Sequence, residues 1–112
     1  MGRAPCSIRN MSPTARTLAL LRERGYRAGV VEKWNPHAKI RQDLFGCIDI
    51  VAVGKGRTLG VQACAYASIA ARATKMRSAP ALPELLGAGW GLFVIGWRKP
   101  KTRWLSRIVR VT

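Results

Sequence analysis

The sequence predicts a mixed α/β protein, a β-sheet with helices packed against it. Three observations predict it. Short runs rich in Val, Ile and Trp are interspersed with helix-patterned stretches, in the order helix, three strands, helix, strand and one added strand. GCIDIVAV and TLGVQAC flank the turn GKG, the arrangement of a hairpin. WGLFVIGW is a continuous apolar run, as expected of a central strand buried on both faces.

Residues 1 to 11 are polar and basic and read as a flexible arm before a single domain over 12 to 112. In SPTARTLALLRERG, Ser12 can cap a helix, Pro13 suits its first position and Gly25 stops it, which predicts a helix from 13 to 24. Leu18, Leu20 and Leu21 form its buried stripe, leaving Arg16, Arg22 and Arg24 in water. YRAGVVEKW reads as a strand over 27 to 34, with Ala28, Val30, Glu32 and Trp34 on one face. NPHAKIRQDLF is a polar loop, after which GCIDIVAV (46 to 53) and TLGVQAC (58 to 64) form the second and third strands. YASIAARATKMR gives a helix over about 66 to 77, ended by Ser78 and Pro80, and PELLGAG a short one with Pro83 near its start. WGLFVIGW (90 to 97) is the central strand, and RWLSRIVRV (103 to 111) alternates as a half-exposed edge strand.

A chain of 112 residues suits one domain, and 48% hydrophobic content with mean hydropathy near zero argues for a packed core. Twenty Lys and Arg against five Asp and Glu give a net charge of +15, a self-repulsion that a polyanionic partner relieves. Nucleic acid is the leading partner and an anionic membrane surface the second. Cys6, Cys47, Cys64 and the single histidine, His37, make no CxxC or CxxH pattern, which argues against structural zinc and a disulfide framework. The start resembles no signal peptide and no run suffices for a membrane span, so a soluble cytoplasmic protein is expected.

Asp49 stands among Cys47, Ile48, Ile50, Val51 and Val53. A carboxylate there must be paired, protonated, at the exposed strand end, or bound to a cation. Across the hairpin lies Gln62, and Glu32 on the first strand and Asp43 before the second can reach the same spot. Clustered oxygen ligands without thiolate or imidazole suit Mg²⁺ or Mn²⁺. Phosphodiester hydrolysis is the chemistry such an ion serves, with Arg and Lys holding the backbone.

Over residues 13 to 97, the α-β-β-β-α-β order, the GCID motif and the LGVQAC strand make the chain resemble the PD-(D/E)XK nuclease superfamily. Within it, the chain is most similar to the small Holliday-junction-resolvase-like and phage-encoded members. The resemblance implies a restriction-endonuclease-like αβββαβ core and Asp49 as a metal ligand. It aligns the family's acid-x-lysine with Gln62-Ala63-Cys64, which makes Gln62 and the Ala63 carbonyl ligands and brings in Glu32 to complete the site. Cys64 stands where the family has lysine, and Lys75 on the following helix is the implied substitute, with Arg72 next. Lys75 and Arg72 are three apart and share a helix face.

The expectation is a Mg²⁺- or Mn²⁺-dependent DNA endonuclease acting on branched DNA as a homodimer, in the cytoplasm of a bacterial or phage-infected cell. Its catalytic residues are Asp49, Gln62, Glu32 and Lys75, with Asp43 as a further ligand. Arg41, Arg72, Lys75, Arg77, Arg98, Lys99, Lys101 and Arg103 are the expected DNA contacts. The rival expectation is a non-catalytic nucleic-acid-binding protein that keeps the fold with a degenerate motif. A weaker third is a basic RNA-associated protein in which Asp49 and Gln62 are ordinary sheet residues.

Overall fold

A computed structural model describes residues 11 to 112, so the basic arm and Cys6 lie outside the described residues except for Met11. Helix α1 spans Pro13–Glu23 and begins as its sequence dictates: the Ser12 hydroxyl accepts the Ala15 N–H at 3.1 Å. Gly25, with φ +94°, turns the chain into β1, Arg27–Val30. Beyond it come β2 (Lys33–Asn35), β3 (Ile40–Gln42), β4 (Ile50–Gly54) and β5 (Arg57–Ala65). A single 3₁₀ turn, Tyr66–Ser68, leads into α2 (Ile69–Arg77) and then α3 (Leu82–Gly87). Strands β6 (Gly91–Arg98) and β7 (Leu105–Val111) complete the chain.

The protein is mixed α/β. Five strands pair in the order β1-β4-β5-β6-β7, and only β5 and β6 are parallel. A parallel pair needs a crossover, which α2 and α3 supply. Side-chain alternation divides the core between the two faces. Beneath α1 lie Leu21, Ala28, Ile50, Ala52, Leu59, Val61 and Ile95. Under α2 and α3 lie Ile48, Cys64, Ile69, Ala73, Met76, Leu85, Leu92, Val94 and Val111. No helix among the described residues is long and apolar enough to cross a membrane.

The structure departs from the sequence reading in three places. The strand expected over 27 to 34 ends at Val30; Lys33–Asn35 joins Ile40–Gln42 in a separate two-stranded hairpin, inside the stretch expected to be a loop. Val31 N–H still pairs with the Asp49 carbonyl, at 2.8 Å, after which the chain leaves β4 and pairs with β3 instead. Ala28 therefore packs under α1, whereas Glu32 meets acids on the α2 side. Second, the strand expected over 46 to 53 begins only at Ile50, because Phe45 and Gly46 take positive φ (54° and 74°) and fold a turn. Third, Arg16 is 7% exposed rather than wet, with its guanidinium 3.7 Å from the Trp104 ring centroid. Beside it, Thr17 accepts the Trp97 indole N–H at 2.9 Å, so α1 is anchored on β6 by a polar stripe as well as by leucines.

Helix α2 approaches β6 closely at Gly96, where a Cβ would overlap Ile69 Cγ1 and meet the Tyr66 Cα at 3.1 Å. Backbone cannot yield as a side-chain tip does, so Gly96→Ala is expected to destabilise the protein by about 1–3 kcal/mol. Urea unfolding should show a lower midpoint with an unchanged slope.

Candidate functional site

The site is built by one turn and one hairpin. Gly46 N–H donates to the Asp43 carbonyl at 3.1 Å, and Leu44 pairs with Ile48, so the chain from 43 to 49 doubles back on itself. Ile48 then lies across Gly60, where an added Cβ would stand 2.7 Å from its Cδ1; the missing side chain lets the turn sit down on the sheet. Asp49 N–H donates to the Val61 carbonyl at 2.9 Å, which sets Asp49 opposite Gln62. Glu32 enters from the other side, ahead of β2. Carboxylate oxygens of Glu32, Asp43 and Asp49 all fall within 4.8 Å of one another. These are three of the chain's five acidic residues.

Gln62 organises this cluster from a fully buried position (0% exposed). Its Nε2 donates to Asp43 Oδ2 at 3.0 Å and to the Cys47 carbonyl at 2.9 Å, with Asp49 Oδ1 at a long 3.5 Å. Its Oε1 accepts from Arg72 at 2.9 Å. A reversed amide would set oxygen against a carbonyl and a carboxylate, and NH₂ against a guanidinium, so the environment permits one orientation. Gln62 thus meets the acids as a donor, with its amide oxygen turned to Arg72 on α2.

Asp49 is 4% exposed. Its Oδ2 accepts the Ala63 N–H at 3.2 Å. Burial, hydrogen bonding to Asp43, and the nearby charges of Asp43 and Glu32 outweigh that donor and push its pKa up to about 7. For Asp43, burial acts upward too, but hydrogen bonds with Asp49, Lys75 and Gln62 prevail and hold its pKa low. The two carboxyls titrate as a pair, with Asp49 pushed up and Asp43 held low. Lys75, half exposed, reaches Asp43 Oδ2 at 3.0 Å. Cys64 is buried and its thiol is pushed upward by that burial, against a smaller opposing pull from Arg72, so it brings no charge to the site.

Glu32, Asp43, Arg41, Arg72 and Lys75 line one open depression of about 630 Å³. Arg77 is exposed on α2. Arg98 stacks 4.5 Å over Tyr66, and Lys99, Lys101 and Arg103 are exposed beyond it. The parallel register of Ala63 with Ile95 and Ala65 with Trp97 puts that basic stretch at the same end of the sheet as the acids. Sequence reasoning missed the Cys47 carbonyl as a partner of Gln62 and the β2–β3 hairpin joining Glu32 to Asp43. The hairpin left a legible signal, because Asn35 Oδ1 accepts from His37 and Ala38 N–H, the turn an Asn-Pro start favours.

No family model, curated protein or solved structure matches the chain.

The raised Asp49 pKa fixes the sign of a pH effect. An unfolded chain ionises this carboxyl near pH 4, the folded protein at about 7, so the fold is favoured at low pH and loses that advantage as pH rises through this window. The loss is at most about 4 kcal/mol, three pH units at about 1.4 kcal/mol each. Asp43 acts oppositely, but only below its unfolded pKa. In metal-free buffer, wild type should therefore lose thermal stability between about pH 4 and 7, while Asp49→Asn, which keeps an acceptor for the Ala63 N–H, should vary little. Parallel pH profiles for the two proteins would remove the assigned proton from Asp49.

Proposed function

We propose that this protein is a divalent-cation-dependent DNA endonuclease of the PD-(D/E)XK type. The observation that carries this reading is the convergence of three carboxylates beside Lys75 and Arg72 in a chain of net charge +15. The donor set fits a hard cation: all oxygen, without imidazole or thiolate. Neighbouring oxygens around Mg²⁺ lie about 3 Å apart, given Mg–O bonds of about 2.0–2.1 Å in an octahedron. A group already within 4.8 Å needs only a modest contraction. Asp49, Asp43 and Glu32 would hold the ion. The Ala63 carbonyl joins them as a fourth candidate, since a strand residue sends its C=O to the same side as the N–H that Asp49 accepts. Bound there, Mg²⁺ or Mn²⁺ supplies charge for the phosphate and acidifies a water.

The chain's own groups do the rest. Gln62 anchors the carboxylates from behind, and the Ala63 N–H fixes Asp49 Oδ2. Lys75 is exposed enough to leave Asp43 for a phosphate oxygen, and Arg72 has further N–H donors beyond the one given to Gln62. Both would stabilise charge growing on the phosphate in the transition state. Branched DNA as substrate and a pair of protomers cutting two strands follow from the family resemblance.

A second reading is a binder that retains the fold without the chemistry. The neutral Cys64 thiol at the lysine position and the donor orientation of Gln62 favour it. Cleavage of end-labelled four-way junction, duplex and single-stranded DNA separates the two, run with Mg²⁺, Mn²⁺ or EDTA. For the nuclease, metal-dependent nicks should vanish in Asp49→Asn with DNA binding retained. Lys75→Met should slow cleavage about 10²–10³-fold. Mg²⁺ should also raise the melting temperature of wild type and not of Asp49→Asn. Equal binding with no cut by either protein on any substrate would establish the binder.

A further inference from the structure

The β2–β3 hairpin is not used by the chemistry above, yet it lies between two of the acids. Glu32 immediately precedes β2 and Asp43 immediately follows β3. Trp34 is 54% exposed, the most open of the large apolar residues, and its cross-strand partner is Arg41. Directly opposed residues share one face of a hairpin, so the two side chains leave the backbone on the same face from paired positions. Lys33 and Lys39 add positive charge, and residues 33 to 42 contain no acid.

We propose that the Trp34–Arg41 face holds an unpaired base of the DNA strand, Trp34 stacking on the base and Arg41 pairing with its phosphate. This rests on the nucleic-acid reading of the same site and names the part that selects unstacked DNA. The chemistry favours this occupant over others. An exposed indole has a large apolar face suited to a flat, uncharged ring, and the neighbouring cation suits the phosphate attached to it. Strands of three residues are too short to bury a protein partner, and the like charges of Lys33, Lys39 and Arg41 oppose a second copy of this hairpin. Position supports it as well. Trp34 is two residues from Glu32, and Arg41 two from Asp43, or about 7 Å of extended chain. That is the scale of the next nucleotide along an unstacked strand, where the spacing exceeds the about 3.4 Å axial rise of a duplex. A base gripped there leaves the next phosphates in reach of the carboxylates, which would direct cutting to the border of unpaired DNA.

The test is binding in EDTA at fixed ionic strength, with 2-aminopurine in a single-stranded oligonucleotide and in a blunt duplex. Wild type should change the 2-aminopurine fluorescence of the single strand. Trp34→Ala should weaken single-strand binding about tenfold or more, leaving duplex binding unchanged. Trp34→Phe, which keeps an aromatic face, should retain most of the affinity. Unaltered single-strand affinity in Trp34→Ala, or an equal loss on both DNAs, would overturn the proposal. Because no metal is present, the outcome is separate from whether the protein cuts: a non-cutting protein that passes keeps the base grip, and a cutting protein that fails loses it.

Discussion

One buried amide holds the site together. Gln62 touches the 43–49 turn through Asp43 and the Cys47 carbonyl, and helix α2 through Arg72, from the middle of β5. Each contact uses a different part of the group, so the amide has a single low-energy setting, and the three segments are referred to one another through it. Backbone pairing does the coarse placement: Asp49 N–H on Val61 ties the β4 side to β5, and Val31 N–H on Asp49 ties the end of β1 to β4. Two small residues make that approach possible. Gly60 admits Ile48 of the turn, and Gly96 admits the start of α2.

Electrostatics and packing pull in different directions here. Interior packing puts Asp49 where water cannot screen it, and the convergence of Asp43 and Glu32 adds repulsion. Lys75, Gln62 and the Ala63 N–H offset part of this, enough to keep Asp43 ionised, but Asp49 retains its proton to near neutrality. Such a group is costly to the fold and is the kind that functional sites keep.

How far the sequence discloses this can be followed residue by residue. The approach of Asp49 and Gln62 was legible, because a hairpin around GKG sets them near one end of two adjacent strands. The nearness of Asp43 followed from its loop, and the α1 cap and stop from local chemistry at Ser12 and Gly25. The break after Val30 was not legible: VVEKW favours a continuous strand, and only the pairing of Lys33–Asn35 with β3 divides it. Arg16 looked like a surface arginine because the ring it packs on, Trp104, belongs to the far end of the chain. The donor role of Gln62 was hidden for the same reason, since Arg72 decides it from another element.

The concentration of acids has a consequence for how a polyanion sits on this surface. With three of five acidic side chains gathered at one spot, twenty Lys and Arg in the sequence are left against two Glu. A charge excess of one sign holds a polyanion without aligning it. The depression differs in carrying both signs, Glu32 and Asp43 beside Arg41, Arg72 and Lys75, and so is a registration mark among charges that are otherwise indifferent to position.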